Sequence, residues 1–214
     1  MMRVALIHAL AHSVAPINEE MAREWPHCER MNLLDDSLSA DLARNGGGLD
    51  ADMHRRFEDL AAYAERTGAA AILFTCSAFG SCIEAVAARR PGMPVLKPNE
   101  AMVADAAGVG RRVGLIASFA PTLVSMPSEF PAGVAVISDM AEGAMEALNR
   151  GQTERHDEIV TASALRLIAQ GCDVIALAQF SMARAQDAVR RAVRVPVLTT
   201  PGSAVASLRR RLGA

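Results

Sequence analysis

The stretch AAAILFTCSAFG, residues 69–80, carries one cysteine, Cys76, off the end of an apolar run and onto a polar turn that closes on glycine. A thiolate is both a nucleophile and a base. Unpaired N–H groups at the start of a helix favour negative charge, so a thiol there is expected to ionise more readily than a free one. Cys76 lies past the apolar run, and this position predicts a functional thiol rather than a small core residue. The run CSAFGS offers free backbone N–H groups and the Ser77 hydroxyl as donors. A second cluster is LIASFAPT, residues 115–122. Ser118 and Thr122 bracket a turn with Pro121 near the first position of a helix. Hydroxyls beside free N–H groups suit a carboxylate, although Ser118 would serve equally as a helix cap. The equivalent turn near the N-terminus, HALAHS, supplies His8 and Ser13. Further along, CDVIALAQFSMA (172–183) repeats the Cys76 pattern. There the cysteine is absent, and Gln179, Phe180 and Ser181 occupy the turn.

Short apolar runs at 4–7, 31–34, 71–75, 95–96, 113–117, 134–137, 174–178 and 197–198 alternate with alanine-rich segments such as 51–66, 81–89, 153–170 and 183–191. The runs lack polar alternation, which predicts strands covered on both faces and hence parallel α/β sheets. The chain also repeats itself. Ile72 falls on Ile175, Phe74 on Leu177 and Cys76 on Gln179. MPVLKPNEA corresponds to VPVLTTPGSA with one residue lost, RVALIHA to RVGLIAS, and NLLDDS to VISDMA, which sets Asp35 on Asp139. The expected architecture is therefore two pseudo-symmetric lobes, each a four-stranded parallel sheet flanked by helices. The divisions are 1–98, 99–198 and a C-terminal helix over 199–214. Ligands of open parallel sheets gather beyond the carboxyl ends of the strands. His8, Asp35, Cys76, Ser118, Asp139 and Gln179 are all expected there, converging on an active site between the lobes.

Composition excludes several classes. The 214 residues carry a net charge of −2 and no Lys/Arg run, so nucleic acid is not an expected partner. No apolar run reaches the ~18 residues of a membrane span, and the N-terminal MMRVALIHALAH lacks the pattern of a secretory leader. The four cysteines form no CxxC pair, which points to a reduced, cytoplasmic protein without a zinc site. His8 and His12 lie four apart without an accompanying acid, so no metal is expected. NGGG at 45–48 lacks the Lys-Ser/Thr of a phosphate loop, and GVG at 108–110 precedes a strand rather than following one. Cys82 and Cys172 are expected to be structural, and His156 to lie on a solvated helix surface.

With these residues in hand, the chain resembles the aspartate/glutamate/hydantoin racemase superfamily, which also holds maleate isomerases and arylmalonate decarboxylases. The resemblance rests on the strand-end cysteine, on VGLIASFAPT and on the two-lobe repeat. It implies catalysis without pyridoxal phosphate, other cofactor or metal, a C-terminal helix returning to the first lobe, and a homodimer. It also implies two cysteines flanking the carbon beside a substrate carboxylate, one removing a proton and the other returning one. Cys76 matches the first of these. Gln179-Phe180-Ser181 stands where the second would be, and Ser77-Ala78 where Asn-Thr often follows the first. The expectation is a cofactor-independent racemase or isomerase acting on a small carboxylate such as an amino acid, with Cys76 as its single thiol. His8, Asp35 or Asp139 is a possible second acid or base. Ser13, Ser77, Ala78, Ser118, Thr122, Gln179, Phe180 and Ser181 are expected to bind substrate. The alternatives are a malonate-type decarboxylase with Cys76 as proton donor, nucleophilic attack by Cys76, and a decayed carboxylate-binding protein.

Overall fold

A computed structural model describes residues 2–46 and 48–214. Met1 of the N-terminal stretch and Gly47 of the NGGG turn lie outside the described residues. The chain divides into two compact units. One comprises the described residues up to Pro98 together with Ala204–Ala214. The other is Asn99–Ser203.

The first unit holds strands β1 (Arg3–His8), β2 (Glu29–Leu34), β3 (Ala71–Phe74) and β4 (Val95–Leu96), all parallel, in the order β2-β1-β3-β4. The sheet is flanked by helices α1 (Val14–Glu24), α2 (Ser37–Arg44), α3 (Ala51–Arg66) and α4 (Gly80–Ala88). Helix α3 shows why these segments fold as they do. Its Asp50 cap accepts a bond from the Met53 N–H at 2.8 Å. Met53, Phe57, Ala61 and Ala64 then fall on one buried face. Phe57 packs on Phe74 and Phe79, with ring centroids 5.2 and 4.9 Å away.

The second unit repeats the plan. Strands β5 (Arg112–Ala117), β6 (Ala135–Met140), β7 (Val174–Leu177) and β8 (Val197–Thr199) are parallel in the order β6-β5-β7-β8. Its helices are α5 (Glu100–Val109), α6 (Ala120–Ser125), α7 (Ala144–Asn149), α8 (Thr153–Ala169) and α9 (Gln186–Ala192). A final helix, α10 (Thr200–Leu212), begins in this unit and ends in the first. Helices α3 and α8 both end on a glycine with positive φ, Gly68 at 80° and Gly171 at 82°. A side chain would be strained there, so glycine stops both helices and turns the chain into β3 and β7.

Two expectations need correction. The central strands are buried apart from Arg3 and Arg112 at their starts, but β2 and β6 are not covered on both faces, and all of their residues are exposed or half-buried. Both are edge strands of their sheets, and their sequences, ERMNLL and AVISDM, are already mixed in polarity. The second correction is one of register. Asn32 pairs with Leu6, and Ser138 with Leu115. The Asp35 N–H bonds the His8 carbonyl, and the same bond in the other unit runs from Ala141 to Ala117. The structural equivalent of Asp35 is therefore Ala141. Asp139 lies inside β6, two positions earlier, rather than beyond its end.

Candidate active site

Backbone bonds fix the equivalence of Cys76 and Gln179. The Thr75 N–H donates to the Ile7 carbonyl, and the Ala178 N–H donates to Ile116. The next residue in each unit leaves the sheet in extended conformation and enters a short 3₁₀ turn. These turns are Ser77–Phe79 after Cys76 and Phe180–Ala185 after Gln179.

In the first unit, Cys76 is a half-buried free thiol. Burial pushes its pKa up, and the Ala78 N–H, which bonds the sulfur, offsets this only in part. The expected depression of the pKa is therefore reversed. Three residues of 3₁₀ turn supply little dipole, and no cation offsets the desolvation of the sulfur. The sulfur borders a small hollow of about 10 Å³, lined also by His8 and by Ile7, Ala9, Leu38, Phe57 and Phe74.

His8 is fully buried. Its Nδ1 lies 2.9 Å from the Thr75 hydroxyl and its Nε2 lies 3.0 Å from Asn32 Oδ1. Asn32 and Asn18 exchange amide bonds, with the Asn18 Nδ2 donating to Asn32 Oδ1 at 2.7 Å and Asn32 Nδ2 donating back at 3.1 Å. Asn32 Oδ1 is thus an acceptor, and this assigns the ring proton of His8 to Nε2 while Nδ1 accepts from Thr75. Burial lowers the pKa of His8, against a smaller upward pull from Asn32. His8 is a neutral wall of the hollow with both nitrogens engaged.

The two aspartates are engaged as well. Asp35 accepts from the Ser37 N–H at 3.1 Å and from Arg56 at 2.8 Å, and Arg56 also holds Asp41 at 2.6 Å. Burial pushes the Asp35 pKa up, but Ser37 and Arg56 outweigh it and leave the carboxyl below its ordinary value. Asp139 is gripped through both oxygens by Arg166, at 2.9 and 2.6 Å.

In the second unit, Ser118 does not cap α6. Its N–H and hydroxyl both donate to Gln179 Oε1, at 2.6 and 2.9 Å. Thr122 is buried, and its N–H bonds the Phe119 carbonyl. Phe180 and Ser181 are buried, as is Ser13 in the first unit, whereas Ser77 and Ala78 are half-buried. Of the phenylalanines that follow these turns, Phe79 and Phe180 belong to the interior and only Phe119 is exposed. His156 is 1% exposed, contrary to the surface position expected of it. Its Nδ1 meets Asp157 at 2.8 Å, and Asp157 also holds Arg184. Among the described residues, no three His, Cys, Asp or Glu side chains gather as a metal-binding group, and no helix is long and apolar enough to cross a membrane.

Sequence reading missed Asn18, Asn32 and Thr75, which fix His8, and Leu38 and Phe57, which line the hollow. Asn32 left a signal as the one amide in an otherwise apolar run.

Two repeated parallel α/β units, with a thiol at a strand end of one and an amide at the equivalent point of the other, define a doubled fold with a single sulfur site. Residues 14–208 match the Asp/Glu/Hydantoin racemase family, and the chain belongs to it. Solved structures share the fold. The allantoin racemase of Klebsiella pneumoniae is 20% identical, with 100% of this chain and 89% of that chain covered at a TM-score of 0.71. An aspartate racemase homologue of Pyrococcus horikoshii is 16% identical, with both chains covered in full at 0.74. Unliganded arylmalonate decarboxylase is 19% identical, with 98% of this chain and 92% of that one covered at 0.66. No curated protein matches the chain.

Proposed function

We propose that this protein is a cofactor-independent enzyme that transfers a proton at the carbon beside a carboxylate of a small acid, with the thiol of Cys76 as its proton donor. The observation that carries the reading is the half-buried Cys76 sulfur bordering a small hollow beside a buried, neutral His8. Burial raises the thiol pKa, so near neutral pH the sulfur keeps its proton. A protonated thiol is matched to delivering a proton to an enediolate and is a poor base until it ionises.

Racemisation needs a second group on the opposite face of the carbon. Gln179 has no proton to give at neutral pH, and His8, Asp35 and Asp139 are each held by protein partners. This favours delivery to one face. In a decarboxylation, one carboxylate of a malonate-type acid leaves as carbon dioxide and its bonding electrons remain on the carbon as an enediolate. The Cys76 thiol then protonates that carbon, and the resulting thiolate is reprotonated from water. Family membership favours the second reading, a racemase or isomerase in which a water serves as the other partner. The four cysteines are all free thiols, which suits a reducing cytoplasm.

Incubation in deuterium oxide with a panel of amino acids, hydantoins and malonates separates these readings. Single incorporation with release of carbon dioxide supports decarboxylation. Incorporation with loss of optical purity supports racemisation. Activity that survives intact in Cys76→Ala overturns both.

A further inference from the structure

The buried ring of His8 is held by a chain of hydrogen bonds whose direction is set at its far end. The Val14 carbonyl can only accept, so the part of Asn18 that meets it at 2.8 Å is the amide nitrogen. That nitrogen also donates to Asn32 Oδ1 at 2.7 Å, and Asn32 Nδ2 returns a bond to Asn18 Oδ1 at 3.1 Å. Neither amide can be turned over without setting donor against donor or acceptor against acceptor. Asn32 Oδ1 therefore faces His8 Nε2 as an acceptor at 3.0 Å, and Nδ1 is left to accept from the Thr75 hydroxyl at 2.9 Å. A proton added at Nδ1 would have to turn that hydroxyl toward its other acceptor, the Ile7 carbonyl, 3.4 Å away. The chain ends at the residue before Cys76, and the ring faces the same space as the sulfur. Both border the hollow of about 10 Å³, roughly the room of one water. A cation across so small a gap would favour the thiolate, whereas a neutral ring does not. The charged groups on the neighbouring elements are matched elsewhere. Asp35 is held by Arg56 of α3, Glu20 of α1 by Arg23, and Arg30 of β2 donates to the Asn18 carbonyl.

We infer that Asn32, oriented by Asn18, is a positioning residue that acts through His8: it holds the ring as the neutral Nε2–H tautomer and so keeps the Cys76 thiol protonated, as a donor rather than a base. The inference rests on the proposed function only in naming that thiol the proton donor. The hydrogen-bond chain stands independently of it. His8 and Thr75 are buried, but Asn32 is exposed on the edge strand β2, so the residue that sets the ring can be exchanged without opening the core.

Asn32→Asp tests this without requiring turnover. The new carboxylate has nearly the volume of the amide and still accepts from His8 Nε2, but its charge favours the imidazolium. The rate of Cys76 alkylation by iodoacetamide is followed against pH by peptide mass spectrometry. Its midpoint in Asn32→Asp should fall about half to one pH unit below that of wild type. A carboxylate acting on the thiol directly would raise the midpoint, so the sign identifies the route. In the double variant Asn32→Asp/His8→Gln the midpoint should return to the wild-type value or above it. A midpoint unchanged or raised in the single variant overturns the inference, as does an equal fall in the double variant. His8→Gln alone supplies a test that does not depend on Asn32→Asp folding. It exchanges neutral for neutral and should leave the midpoint within about 0.3 pH unit of wild type, whereas loss of a cation would raise it further and overturn the inference. Turnover is scored separately on wild-type and Cys76→Ala protein. The expected midpoints together with chemistry indifferent to Cys76 remove the proposed function and leave the role of Asn32. Chemistry that depends on Cys76, with a midpoint unmoved by Asn32→Asp, removes the role of Asn32 and leaves the function.

Discussion

Gln179 Oε1 receives two hydrogen bonds from one residue, the N–H of Ser118 at 2.6 Å and its hydroxyl at 2.9 Å. Ser118 leaves β5 and Gln179 leaves β7, adjacent strands of the second sheet. The amide oxygen therefore satisfies two donors that the sequence suggested were available to a carboxylate. It also occupies the strand-end position that Cys76 holds in the first unit. The one-thiol character of the protein is built into local bonding at this position, and losing Gln179 costs Ser118 both of its bonds.

Gln179→Cys tests what that position lacks. A thiol there cannot reproduce the paired acceptor, so Ser118 turns to water at a cost of about 1 kcal/mol per bond. The expected chemical outcome is a gain of proton transfer at the second face. Product formed by the variant should lose optical purity relative to wild type, as measured by chiral chromatography. Optical purity unchanged from wild type, in a variant with a native circular dichroism spectrum, would show that a thiol here does not face the reacting carbon.

Cys76 should react slowly at neutral pH. Its pKa is raised by burial, so the thiolate fraction at pH 7 is smaller than that of a free thiol. The rate of alkylation by iodoacetamide should climb with pH through a midpoint above that of a small-molecule thiol measured alongside it. Activity that uses the protonated thiol should hold near neutrality and fall as pH rises through the same midpoint. Cys76→Ala should lower kcat by about 10²- to 10⁴-fold, the usual worth of a positioned acid. A midpoint below the free thiol would restore the picture of a thiolate base.

The fold was legible because its determinants are local. Each β-rich run overlaps an observed strand with ends within two residues, except that β6 runs three residues past its predicted end, and the repeat was visible as Ile72 on Ile175 and Cys76 on Gln179. Even the lost residue reappears in the ladders, where Ile72 pairs with Val95 but Ile175 with Val197. The site was only partly legible. Side-chain pairing across strands depends on register, and alignment of NLLDDS with VISDMA misplaced Asp139 by two residues. The engagement of His8 depends on Thr75 and Asn32, which are distant in sequence and meet only because β1 lies between β2 and β3. His156 was hidden by its charged neighbours in ERHDEI, since a helix that turns one residue inward among polar ones leaves no clear period.

Gly110 offers a stability prediction outside the site. A Cβ added there would stand 2.5 Å from Asp173 Oδ1 and 2.6 Å from Val174 Cγ1. Val174 is fully buried, and Asp173 accepts from the N–H groups of Arg111 and Arg112 at 3.0–3.1 Å. Neither neighbour can yield without loosening the start of β5 against β7. Gly110→Ala should destabilise the protein by about 1–3 kcal/mol, the usual range for overpacking. Urea unfolding checks this, and a variant as stable as wild type would mean that the Asp173 clamp is looser than its bonds indicate.

The pH dependence of stability should carry the signature of His8. Its folded pKa is lowered, chiefly by burial, whereas in the unfolded chain it returns to about 6.5. Below that value the unfolded state binds a proton that the folded state refuses, so the linkage favours unfolding as pH falls. The contribution of neutral His8 is present in full above about 6.5 and declines as pH drops toward its folded value. The slope approaches about 1.4 kcal/mol per pH unit for one proton at most. His8→Gln removes the titration but keeps a donor and an acceptor of similar reach. It should be less stable at pH 7.5 and lose less on going to pH 5.5, as read from urea midpoints at the two pH values. Nitrogen-15 spectra of the wild type should show the His8 ring neutral and protonated on Nε2 at pH 7.5. A ring protonated on Nδ1 instead would contradict the assigned tautomer.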